Sequence, residues 1–94
     1  MEVSQLLWDE ANEAHIARHQ VSRLEVVEVV SDDKTVFALD DTRRRGRLVA
    51  FGVTSSGRHL VVVLDEPTTA GTAYVVTARP MTPRERCDYE EAEK

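Results

Sequence analysis

Between residues 47 and 79 the chain contains three valine-rich runs with very short connections, and this spacing constrains the fold more than any other feature. Arg47–Thr54, Arg58–Asp65 and Thr72–Arg79 have the β-branched content and alternation of strands. Ser55-Ser56-Gly57 joins the first two as a compact hairpin loop in which the glycine can take a positive φ. Glu66–Gly71 is a looser connection containing Pro67 and Gly71. Parallel neighbours need a crossover of a dozen or more residues, so these connections predict an antiparallel meander. Val36–Leu39 reads as a further short strand, followed by a polar turn over Asp40–Gly46. In the last strand, alternation puts Tyr74, Val76 and Ala78 on one face and Val75, Thr77 and Arg79 on the other.

Helical signals flank the strands. Leu7–His19 reads as a helix on which Trp8, Asn12, His15 and His19 fall within about 60° of one another. The adjoining stripe of Leu7, Ala11 and Ala14 is its expected core face. Ser22 followed by Glu25 has capping-box spacing and predicts a second helix over Ser22–Val30. At Thr82-Pro83-Arg84-Glu85 an N-cap threonine, a first-turn proline and a glutamate three residues after the cap coincide, so a C-terminal helix starts at Pro83. The expected architecture is α+β, ordered ααββββα: an antiparallel four-stranded sheet with helices packed on one face. The 94 residues form one domain, 1–94.

Composition narrows the function. The longest uncharged apolar run, Leu60–Leu64, is far short of the roughly 20 residues that span a bilayer. Met1–Asp9 has neither a basic n-region nor an apolar h-region, and the expectation is a cytoplasmic protein without a membrane partner. A lone cysteine, Cys87, excludes an internal disulfide and a multi-cysteine zinc site. The net charge of −5 is unevenly spread: residues 1–42 carry ten acids against Arg18, Arg23 and Lys34. Residues 43–86 carry eight arginines against Asp65, Glu66 and Glu85, and residues 87–94 are acidic again. Arginine suits bidentate contact with phosphate, so the middle block keeps a nucleic-acid ligand in view despite the overall charge.

Several chemistries can be set aside. His15 and His19 stand four apart, as two metal ligands would, but Ile16 takes the place of the glutamate a zincin needs, and no third ligand follows. No metal or other cofactor is expected. There is no G-x-S-x-G elbow and no phosphate-cradling glycine loop, and Cys87 lies inside a helix, away from its N-terminus. Arginine, histidine and acid remain. They are the parts for RNA cleavage, which needs a base for the 2′-hydroxyl, an acid for the leaving 5′-oxygen and cations for the phosphorane. His15, His19 and His59 can move protons; Arg47, Arg58 and Arg79 lie on strands; Arg84, Glu85 and Arg86 sit at a helix start. Adjacent strands should bring Arg47, Arg58 and Arg79 to one sheet end or face. Structural roles compete with each of these: an Arg79–Glu85 salt bridge, a capping box at Glu85, and plain packing of Trp8 and Tyr89.

In order along the chain, Trp8-Asp9, His19-Gln20-Val21-Ser22, Gly52-Val53-Thr54 and Gly57-Arg58-His59-Leu60-Val61-Val62-Val63 come first. Val75-Val76-Thr77-Ala78-Arg79, Thr82-Pro83-Arg84-Glu85-Arg86 and Tyr89 follow. Over Leu7–Tyr89 this series resembles the BrnT family of small ribonuclease toxins from type II toxin–antitoxin systems. The resemblance implies the compact arrangement likened to RelE-type toxins, RNA cleavage without a metal, and a BrnA-like antitoxin that caps the toxin in a hetero-oligomer. It assigns Arg79 and Arg47 to phosphate and transition-state charge and His19 to proton transfer. Glu85 would act as base or as orienter of Arg79, while Arg58, Arg84, Tyr89 and Trp8 would contact RNA. The chain departs from the family at Asn12, near a usual lysine, and at Gln20, where a glycine is usual. Those departures and the acidic termini support a different reading: a catalytically inactive module of the same fold that binds a basic segment of a partner protein.

Overall fold

The computed structural model describes residues 3–40 and 47–93. The first strand ends on Leu7, the residue at which the sequence suggested that a helix begins. Gln5–Leu7 forms β1 and pairs in parallel with the strand Thr72–Pro80, Leu7 opposite Tyr74. The Ser4 amide, donating to the Gly71 carbonyl at 2.8 Å, anchors the entry to this strand. In chain order β1 is followed by α1 (Glu10–Arg18), α2 (Arg23–Ser31), β2 (Val36–Asp40), β3 (Arg47–Val53), β4 (His59–Asp65), β5 (Thr72–Pro80) and α3 (Pro83–Glu93). The sheet is five-stranded and mixed, ordered β1-β5-β4-β3-β2. The class is α+β as expected, but the four-stranded antiparallel sheet gains a parallel edge strand. Everything from α1 to β4 serves as the long crossover that a parallel pair requires. From β2 to β5 each neighbouring pair is antiparallel.

Local chemistry explains the helix bounds. Asp9 caps α1: its carboxylate accepts the Asn12 amide at 2.8 Å, and Asn12 Oδ1 accepts the Asp9 amide at 2.9 Å. Asn12 Nδ2 also donates to the Leu7 carbonyl at 2.9 Å, so this asparagine is only 2% exposed yet fully partnered. The buried residues of α1 are therefore Asn12 and Ile16, while Ala11 and Ala14 of the expected stripe face solvent. The Ser22–Glu25 box caps α2 as anticipated.

The turn between α1 and α2 bears on one family departure. Gln20 has φ of 61°, its amide donates to Ala17 at 2.9 Å, and the Val21 amide donates to Ile16 at 3.1 Å. This is a Schellman ending with Ile16 and Val21 buried, and a glutamine holds the left-handed position that glycine fills at least strain. Gln20→Gly should raise stability by about 1 kcal/mol, or about 4–8 °C in Tm for a domain of this size. A thermal melt that falls or stays unchanged would refute the strain at this residue.

Two faces of the sheet are covered differently. Ile16, Val21, Val26 and Val29 pack on Leu48, Ala50, Leu60, Val62, Leu64, Ala73, Val75 and Ala78. Gly52 lets α2 approach, since a Cβ there would lie 2.6 Å from Thr35 Oγ1 and 2.9 Å from a Val29 methyl. The helices do not share one face. Tyr89 of α3 lies over the opposite side, against His59 and beside Phe51. A bulge explains why alternation in β5 misassigns the faces. Val63 pairs with Thr77 but Leu64 with Val75, so Val76 is the extra residue. Ala73, Val75 and Ala78 therefore share the α1–α2 side, and Arg79 is left on the α3 side.

Candidate active site

Strand pairing sets Arg79 opposite Val61, and the start of α3 two residues beyond β5 sets Glu85 across from it. Arg79 Nη1 donates to Glu85 Oε1 at 2.6 Å and Nη2 to Oε2 at 2.8 Å, a fork-on-fork pair. Nη1 also donates to the Pro80 carbonyl at 3.2 Å. Glu85 in turn accepts the Thr82 amide at 2.9 Å, while Thr82 Oγ1 accepts the Glu85 amide at 3.1 Å. The salt bridge and the capping box suggested by the sequence thus coexist on one carboxylate. The Arg79 guanidinium, with help from the Thr82 amide and against partial burial, lowers the Glu85 pKa from 4.5 to about 2. Such an acid is ionised at neutral pH, and both of its oxygens are engaged in holding the Arg79 fork. The same hydrogen bonds, outweighing desolvation, raise the pKa of Arg79.

One edge of that guanidinium remains. Among the described residues no acceptor meets Nε or the second Nη2 hydrogen, so Arg79 presents a two-donor edge on a side chain that is 36% exposed. Helix α3 adds less than its N-terminus suggests. Pro83 has no amide hydrogen, Thr82 takes the amides of Glu85 and Arg86, and Arg84 keeps the one unclaimed first-turn N–H among the described residues.

A second pair adjoins the first. Tyr89, one turn after Glu85 on α3, is 5% exposed and meets the His59 ring edge-on at 5.9 Å between centroids. The Met81 amide donates to the His59 carbonyl at 3.0 Å, continuing the β4–β5 ladder, so His59 stands diagonal to Arg79 at about 7–8 Å between Cα atoms. His59, Arg79, Glu85 and Tyr89 therefore share one end of the α3 face. The sequence named His59 but favoured His19. Strand alternation from Val61 to His59, with the four-residue spacing of Glu85 and Tyr89, is the signal that pairs them.

The other candidates lie elsewhere. His19 ends α1 on the opposite side of the sheet, exposed, its ring 5.5 Å from that of His15. Arg47 pairs with Asp65 at 3.9 Å, four residues along β4 from Val61 and so about 13 Å from the Arg79 row. Arg58 turns to the α2 side, donating to Glu25 at 2.7 and 2.8 Å and to the Gln20 carbonyl at 2.8 Å. Although partial desolvation opposes it, the Ser22 amide and Arg58 together lower the Glu25 pKa. Arg84 makes an exposed pair with Asp88 at 3.4 Å, and Arg86 one with Glu90 at 3.1 Å. Trp8 lies under the Arg23 guanidinium, 5.0 Å from the ring centre, beside α2. The expected gathering of Arg47, Arg58 and Arg79 does not occur, because each carboxylate partner sits at a different place in the fold. Arg43, Arg44 and Arg45 lie outside the described residues. Among the described residues no group of three or more His, Cys, Asp or Glu is arranged to hold a metal ion. No helix there is long and apolar enough to cross a membrane.

A search of curated proteins finds no match to this chain. A family model does match, that of the ribonuclease toxin BrnT of type II toxin–antitoxin systems, over residues 8–85. The matched span runs from Trp8, just after β1, through β2–β5 to Glu85, and so contains the Arg79–Glu85 pair. The chain belongs to the BrnT family of type II toxin–antitoxin ribonuclease toxins.

Proposed function

We propose that this protein is a metal-independent endoribonuclease toxin of the cytoplasm, held inactive by a BrnA-like antitoxin. The single observation that carries the reading is the Arg79 guanidinium, clamped by Glu85 with its Nε–Nη2 edge open. A planar pair of N–H donors matches two phosphate oxygens. Because Glu85 fixes the fork beforehand, little reorganisation is needed as charge grows on the phosphorane. The 2′-hydroxyl attacks the adjacent phosphorus, the bond to the 5′-oxygen breaks, and a 2′,3′-cyclic phosphate and a 5′-hydroxyl result. Family membership brings the RNA target and an antitoxin partner with it.

Purified protein at micromolar concentration should cleave an oligoribonucleotide in the presence of EDTA and leave the all-2′-deoxy analogue intact. Induced expression without a partner should arrest growth. A second reading is favoured by one finding: Arg47, Arg58, Arg79, Arg84 and Arg86 each have a carboxylate within 4 Å, so no broad cationic surface forms among them. An inactive interaction module would look the same there. Harmless expression together with no cleavage would establish that module and end the toxin reading.

A further inference from the structure

We infer that His59 is the proton-transfer group of this site, acting on an RNA phosphodiester held at the open edge of Arg79. The inference rests on the ribonuclease reading above and assigns it a residue. The chain has three histidines. His15 and His19 face each other on α1, across the sheet from Arg79. His59 lies on the same face as Arg79, two residues from Val61, which pairs with it. It is half-buried, its backbone is fixed on both sides by the Val53 and Met81 pairings, and the Tyr89 ring packs edge-on against it. The imidazole so held stands on the strand next to Arg79, diagonal to it at about 7–8 Å between Cα atoms, on the face that carries the open guanidinium edge. Glu85 is committed to Arg79 by two hydrogen bonds, and a neutral imidazole carries one ring nitrogen that accepts a proton and one that donates it, which leaves His59 as the shuttle of the quartet.

The chemistry balances with a single shuttle. A ring nitrogen of His59 takes the 2′-hydroxyl proton as that oxygen bonds to phosphorus. The imidazolium so formed gives the proton to the 5′-oxygen as its bond to phosphorus breaks. The histidine ends as it began, and no co-reactant is consumed.

Single-turnover cleavage of an oligoribonucleotide tests this. His59→Ala should lower the cleavage rate constant by about 100-fold or more, with binding of the 2′-deoxy analogue retained. Added imidazole should restore part of the lost rate, a rescue that a packing defect would not show. His59→Gln, closer in size, should lose the same activity with an unchanged circular dichroism spectrum. In the wild type, the His59 ring signals should shift in NMR spectra as the 2′-deoxy analogue is added, a readout independent of turnover. Either His59 variant cleaving at the wild-type rate overturns the assignment, as does a rescuable loss in His19→Ala. A wild type that cleaves nothing overturns the ribonuclease reading itself, while an active wild type with an active His59→Ala overturns this inference alone.

Discussion

Arg79→Ala should cost the protein about 100–1,000-fold in RNA cleavage, the loss of about 2.7–4 kcal/mol that follows removal of one preorganised charge-stabilising donor. Growth arrest on induction should be relieved accordingly. The side chain is placed by a strand whose Val75 and Ala78 are fully buried, and its fork is locked by Glu85, so wild-type geometry is set before substrate arrives. Arg79→Lys should fall nearly as far, because an ammonium cannot hold the Glu85 carboxylate bidentately and still offer two parallel donors outward. The deficit should be the same at every pH from about 5 to 9. Glu85, with its pKa near 2, remains charged across that range, and its contribution to stability is present above 4.5 and lost only as pH falls toward about 2. An Arg79→Ala protein that folds by circular dichroism and still cleaves at the wild-type rate would remove the observation on which the functional reading stands.

Legibility followed the range of the interactions. Helix α3 and the cap of α2 are written in four consecutive residues each, and both formed where those residues put them. The hairpin over 55–57 is equally local, and so is the antiparallel meander it begins. Strand β1 is not local. Its three residues become a strand only because β5 offers an edge more than 60 residues later. The Val76 bulge is likewise a property of the β4–β5 register, and it inverts the face on which Ala78 lies relative to simple alternation. The site divides the same way. Arg79 with Glu85 is six residues apart and could be read from sequence, whereas the partners of Arg58 and Arg47 come from distant elements and scatter the arginines that composition had grouped. The sequence names His59 among three histidines but does not join it to Tyr89, which is 30 residues away.

Asn12 stands near the position of a lysine usual in the family, and the structure gives it a structural task. Its side chain closes the cap of α1 onto the Asp9 amide and ties the Leu7 carbonyl at the end of β1, so it joins the edge strand to the first helix. Asn12→Ala removes two hydrogen bonds from a nearly inaccessible position. At about 1 kcal/mol net for each, the loss is about 2 kcal/mol, with little opportunity for water to replace the partners. For a domain of this size that corresponds to a fall in Tm of about 8–16 °C. Asn12→Lys should be at least as damaging, since the amide contacts go and a cation must leave a site that is 2% exposed. Neither change should alter cleavage per folded molecule at low temperature, because α1 packs on the side of β5 away from Arg79. A melt unchanged in Asn12→Ala would show that the cap is dispensable. A gain of cleavage in a folded Asn12→Lys protein would return the residue to the active site and move the catalytic face across the sheet.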